Sequence, residues 1–191
     1  MVYYFYNVTE QTQKANELYS LIASDILKDE KCASLLNELK AAIEDSWKLM
    51  KELGVVDICS ACADEKPGGC CYFGIETCYT DMILLMNLLI GVNIPEQRKL
   101  EKNCLFAGEH GCLLKARFKT CIYHLCPRLK NPLSEYDLFR LRATTNYEIK
   151  LGVRTESAIR DWIRENAVNF LPPQRSVPEL FFCPVKEEPL E

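Results

Sequence analysis

The chain has 191 residues and a mass of 22.0 kDa, with 48% hydrophobic and 26% charged residues, ordinary for one folded domain or two small ones. Its 23 basic and 27 acidic residues leave a net charge of −4, so bulk charge gives no electrostatic footprint for a nucleic acid. Eleven cysteines are the anomaly: nine of them, Cys59 to Cys126, fall within 68 residues, which excludes a plain helical domain and points to sulfur chemistry.

The first ten residues, Met1 to Glu10, hold no basic run, leucine-rich stretch or small-residue cleavage site, so no secretory signal is expected. Residues 11 to 54 then carry helical periodicity. Leu18, Leu21, Ile22 and Ile26 share one face, and Leu35, Leu36, Leu39, Ile43, Trp47 and Met50 recur mostly at spacings of three and four. Two antiparallel helices joined near Lys28 to Lys31 are expected over 1–54, with Gly54 as a left-handed cap and Cys32 as a small buried hydrophobe.

Residues 55–130 form the cysteine region, with turns at Lys66–Gly69 and Gly108–Gly111 around a helix from about Thr80 to Leu89. The longest apolar run, Met82 to Val92, is 11 residues broken by Asn87 and too short to span a bilayer. No membrane association is expected, and the expected setting is reducing cytoplasm, where clustered thiols ligate metal and disulfides do not persist. The odd cysteine count also argues against a closed disulfide framework.

The remaining segment, 131–191, opens with two helical patterns. Ser134 starts one holding Leu138, Phe139, Leu141 and Tyr147, and Thr155 caps a second holding Ile159, Trp162 and Ile163. Past Phe170 five prolines from Pro172 to Pro189 predict an extended tail, with Cys183 tucking it back or serving as a distant ligand. The expected architecture is a mostly α-helical single domain with a central cysteine-rich, loop-rich region.

The cysteine spacing carries the chemistry. Cys59-Ser-Ala-Cys62 is read as a turn that offers two thiolates to one ion. Cys70, Cys71 and Cys78 follow, and Cys104, Cys112, Cys121 and Cys126 come after the apolar helix. These nine are the candidate metal ligands. Four thiolates suit either tetrahedral zinc or an iron–sulfur cluster. Three features favour the cluster: the Cys126-Pro127 ending, the presence of only two histidines, and the surplus of Lys115, Arg117, Lys119, Arg128 and Lys130 over Glu109. His124, two residues from Cys126, is read as a histidine that packs on a helix or supports a metal ligand rather than as a general base, and His110 as an exposed turn residue with ligation as the lesser option. No radical-SAM cysteine loop, dinucleotide fingerprint or P-loop occurs in the sequence.

Cys70-Cys71, Cys78-Tyr-Thr-Asp81, the leucine-rich helix ending at Gly91, and the series Cys104, Gly111-Cys112-Leu113, Cys121, Cys126-Pro127 resemble a family of zinc- or iron-chelating CxxCxxCC domains. Flagellin lysine N-methylases are related to that family. The resemblance covers about Cys59 to Arg128 and is closest downstream, where Cys104, Cys112, Cys121 and Cys126 take the family's cysteine positions. Upstream, Ala63–Gly69 separates Cys62 from Cys70, which makes Cys78 a competitor for one place. The resemblance implies metal chelation and no particular reaction. The leading expectation is an iron–sulfur protein that carries electrons or assists a modification reaction, with an electron-transfer or protein partner. A zinc-stapled, non-catalytic interaction module is the first alternative, and an enzyme like the protein lysine methyltransferases the second.

Overall fold

A computed structural model describes residues 6–64 and 69–166. The proline-rich tail, Cys183 and all of the expected 66–69 turn except Gly69 lie outside the described residues. Helix α1 (Val8–Ile26) starts where the Asn7 side chain accepts hydrogen bonds from the backbone N–H groups of Thr9 and Glu10. Helix α2 (Glu30–Glu52) starts at Asp29, whose carboxylate accepts from the Cys32 N–H at 2.8 Å. Gly54, at φ +68°, ends α2 in the left-handed region, and the chain turns directly into α3 (Val55–Asp64). The hairpin therefore forms as its periodicity dictates, with one difference: Leu21 is 48% exposed, because the α1 stripe narrows to Ala15, Leu18, Ile22 and Ile26.

A 3-10 turn (Ile75–Cys78) leads through the capping hydroxyl of Thr80 into α4 (Asp81–Leu89), which packs on α1. A minimal hairpin follows, β1 (Ala107–Gly108) paired antiparallel with β2 (Gly111–Cys112). Two short helices, α5 (Lys119–Tyr123) and α6 (Pro127–Lys130), precede the long closing helix α7 (Glu135–Asn166). The whole is one mostly helical domain with a two-stranded sheet. Among the described residues no helix is long and apolar enough to cross a membrane.

Two expectations are corrected here. Cys59 and Cys62 lie on a helix, α3, and not in a turn. The two C-terminal patterns are one uninterrupted helix of 32 residues, and Thr155 is not its cap. Thr155 is wholly buried, and its hydroxyl donates to the Leu35 carbonyl at 3.4 Å. The reason is tertiary. Leu141, Thr145, Glu148, Leu151, Thr155 and Ile159 repeat at helical spacing on the side that packs against α2, and no proline interrupts them. Phe139 and Tyr147, apolar members of the pattern opened by Ser134, fall outside that stripe and are exposed. Cys32 is buried as expected, its thiol 3.8 Å from the Ala158 carbonyl. Burial, with the nearby Asp29 carboxylate, pushes that thiol up to about 12.

The α2–α7 seam should dominate stability. Leu151→Ala should lower the unfolding free energy by about 2–5 kcal/mol, because it opens a cavity in the seam. Val153→Ala, on the exposed side of the same helix, should change it by no more than about 0.5 kcal/mol. Urea denaturation followed by circular dichroism checks both.

Candidate metal centre

Three separate segments deliver the thiols to one place. Cys59 and Cys62 are three residues apart on α3, so they share a face, and α3 packs against β2 and α6. The Cys70–Cys71 segment is fastened to the third: the Cys104 N–H donates to the Cys71 carbonyl at 2.9 Å, and Tyr72 bridges Asn103. Beyond it, the hairpin and the two short helices present Cys112, Cys121 and Cys126.

Local backbone needs explain how the third segment holds its shape. Gly111 sits at φ +102°, and a Cβ there would meet the Trp47 ring at 3.3 Å, so a side chain is disfavoured twice. Asn87, the polar break in the apolar helix α4, is wholly buried and works as a hub. Its carbonyl oxygen accepts from the N–H groups of Lys115 and Ala116, and its amide donates to the carbonyls of Ile83 and Ala116. That pins the Lys115–Ala116 turn leading to Arg117 and Cys121. On the other side, Glu76 pairs with Arg98 and accepts from the Gly74 N–H, while Arg98 also bonds the Asn103 carbonyl. This clamp ties the 3-10 turn to the approach to Cys104.

The thiols line two adjoining cavities. One, of about 90 Å³, is lined by Cys59, Cys62, Cys70, Cys71, Cys121 and Cys126. The other, of about 80 Å³, is lined by Cys59, Cys71, Cys104, Cys112 and Cys121. Eight of the nine candidate ligands are thereby brought together. Cys78 lines neither of these two but a third cavity, with Cys70, Cys121 and His124; it is buried in the main core, and burial alone pushes its thiol up. Among the described residues no cysteine is in a disulfide, and no group of three Cys, His, Asp or Glu side chains is arranged to hold a single metal ion.

Electrostatics separate the thiols further. Burial pushes Cys59 up to about 12, and the neighbouring sulfurs of Cys71, Cys70, Cys126 and Cys62 push in the same direction. Cys70, the exposed member, hydrogen-bonds Cys126 and is raised by burial and by Cys126 and Cys62. Cys71 is pushed up to about 11 by burial, then by Cys112, Cys70 and Cys62. Cys121 reaches about 12 through burial, Cys112 and Cys71, and Cys104 is raised by burial with Cys112 and Cys121 among its neighbours.

Opposing groups favour the thiolate form. The Tyr79 hydroxyl hydrogen-bonds the sulfurs of Cys112 and Cys121, the Leu114 backbone hydrogen-bonds Cys112, and the Phe106 N–H donates to the Cys104 sulfur at 3.4 Å. Arg117 lowers Cys71, Cys112 and Cys121. Its side chain is 4% exposed, stacks over Trp47 at 4.9 Å and faces Glu148 of α7 at 3.6 Å, an ionic contact longer than a hydrogen bond. The surroundings are thus basic, as the charge surplus implies, with Arg117 acting on three of the sulfurs and Lys115 on that of Cys112.

In the sequence Tyr79 stands out only as part of a motif and Gly69 only as part of a turn, neither as a site residue. A Cβ at Gly69 would meet the Cys62 sulfur at 2.2 Å, so the backbone itself walls that thiol. Aromatic and glycine residues beside a cysteine carry no spacing signal that could have marked them. His124 is exposed at the end of α5 and lines the first cavity beside the thiols, which sets aside the helix-packing half of its reading and leaves the ligand-supporting half. His110 is exposed, as a turn residue should be. No protein-family model, curated protein or solved structure matches the chain.

Asn87→Leu should leave two N–H groups and one carbonyl of the Lys115–Ala116 turn without partners, at about 1–3 kcal/mol each. Hydrogen exchange should show lost protection at 112–121 while α7 stays protected. Burial alone would raise the Glu76 carboxyl, but Arg98 and the N–H groups of Gly74 and Glu76 hold it below the usual value. A depressed carboxyl stabilises the fold above the unfolded Glu pKa, about 4.3, and that contribution is lost as pH falls through the lowered value. Glu76→Gln should flatten this acid-side loss in an unfolding series from pH 6 to pH 3.

Proposed function

We propose that the chain is an iron–sulfur protein that exchanges electrons with a partner protein, its clustered cysteines being the cofactor ligands. The observation that carries the reading is the convergence of eight thiols from three segments around two adjoining cavities, with hydrogen-bond donors and a buried guanidinium aimed at the sulfurs. Such donors and cations are what tune sulfur-ligated clusters. Four thiolates also suit tetrahedral zinc, which is the competing reading.

The residues present fit the group. Cys59, Cys62, Cys70, Cys71, Cys104, Cys112, Cys121 and Cys126 would hold it, and when bound it supplies one-electron redox chemistry. Arg117 and the Tyr79 hydroxyl offset thiolate charge in a buried site, and the exposed Cys70 and His124 leave one edge open to a partner. The same set agrees with the chelation implied by the resemblance to CxxCxxCC domains.

An ultraviolet–visible spectrum of anaerobically purified protein, with iron and zinc analysis of the same sample, tests this. A broad visible band that bleaches in air, with iron bound, is the expected result. Colourless protein with zinc, unfolded by chelator, would overturn the iron reading in favour of a zinc-stapled interaction module. Protein that folds without either metal would overturn both.

A further inference from the structure

Arg117 stands between two spaces. It lines the smaller thiol cavity beside Cys71, Cys104, Cys112 and Cys121, and it also lines a separate cavity of about 350 Å³ whose wall includes Glu148 of α7. Glu148 is an anomaly there. Its side chain is 2% exposed, yet neither carboxylate oxygen has a hydrogen-bond partner, and the Nε of Arg117 has none either. The ionic contact between the two residues, at 3.6 Å, is too long to be a hydrogen bond. A buried carboxylate stays charged only when hydrogen bonds or a cation hold it so, and here the cation is shared with the thiols. Burial accordingly raises the Glu148 carboxyl above its ordinary value, against the pull of Arg117.

The other groups around Glu148 do little to fix its charge. Lys119 from α5, Cys78 from the 3-10 turn and Glu156 from α7 line the same cavity, α2 contributes the Ser46 hydroxyl, and α4 presents the uncharged Ile83 and Met86. Lys119 is exposed, and Glu156 is held by Arg160. The cavity is roomy enough for water and reaches the surface at Lys119 and Val153. Gly152, on the same wall, keeps it open: a Cβ there would meet nothing within 4 Å. Protons therefore have an approach to Glu148 that does not pass the thiols.

We propose that Glu148 is a proton-binding site coupled through Arg117 to the charge of the thiol centre, so that one electron gained there is accompanied by one proton taken from water onto the Glu148 carboxylate. This rests on the iron–sulfur reading above and adds a proton to its electron. The electron comes from the partner protein and the proton from water in the cavity, where one O–H bond forms on Glu148. Added negative charge at the sulfurs competes for the single guanidinium, in surroundings that screen charge poorly. Glu148, with no hydrogen bond to keep it ionised, answers by taking the proton, and it returns the proton to the cavity on reoxidation.

The test is a potentiometric titration of the anaerobically reconstituted full chain from about pH 5 to pH 9, beside Glu148→Gln and Cys78→Ser, with reduced-minus-oxidised infrared difference spectra of each. The wild-type potential should fall by about 59 mV for each tenfold drop in proton concentration over part of that range and level off outside it. Reduction should add a protonated-carboxyl band to the infrared spectrum. Glu148→Gln should lose both the slope and the band, whereas Cys78→Ser should keep both. A flat wild-type potential overturns the proposal, as does a slope that persists in folded Glu148→Gln or disappears in Cys78→Ser. Should Glu148→Gln fail to fold, a wild type that gains no protonated-carboxyl band on reduction overturns it alone. A chain that binds no iron, told apart by its missing visible band, defeats the electron reading and the coupling with it.

Discussion

A buried guanidinium is the constraint on which the arrangement turns. Arg117 has no route to bulk water, so its charge must be met inside the protein. It is met on three sides: by Glu148 from α7, by the face of Trp47 from α2, and by the sulfurs of Cys71, Cys112 and Cys121. Removing any one side leaves a charge in low dielectric with fewer partners. The helical scaffold and the cysteine region are therefore not separable halves, because they share this residue.

Asn87 and the Glu76–Arg98 clamp extend the same logic to backbone. The segments carrying Cys104 through Cys121 have little regular structure of their own, only a two-residue ladder and five residues of helix. Backbone groups in and just before them are satisfied by side chains, Asn87 of α4 and Arg98 of the loop that follows α4. Irregular chain can be buried beside the core on those terms, and thiols can thus be presented from loops without losing position.

Much of this was legible in the sequence. The stripes of α1, α2 and α4 and the left-handed Gly54 follow from periodicity and cap chemistry, and the gathering of cysteines from their density. Other parts were not. Cys59 and Cys62 read as a turn because a C-x2-C pair is met most often in one, whereas here Val55 and Ile58 bury one side of a short helix against α6 and its neighbours. Thr155 reads as a cap because threonine caps helices, and only the carbonyl of Leu35, far away in sequence, reveals its other use. Cys78 is chemically identical to its neighbours, so counting cannot show that it faces Ile75 and the core. Nor can adjacency show that Cys71 borders both cavities while Cys70 borders only the first.

The contact between Thr155 and Leu35 spans 120 residues, and every cysteine of the cluster lies inside the loop it closes. Closing a loop of that length is slow relative to forming the local hairpin and short helices within it. During synthesis α7 also emerges after all of those cysteines. Until α7 docks on α2, Arg117 lacks Glu148, so the cysteine segments are made while the cation that faces their sulfurs has yet to receive its carboxylate.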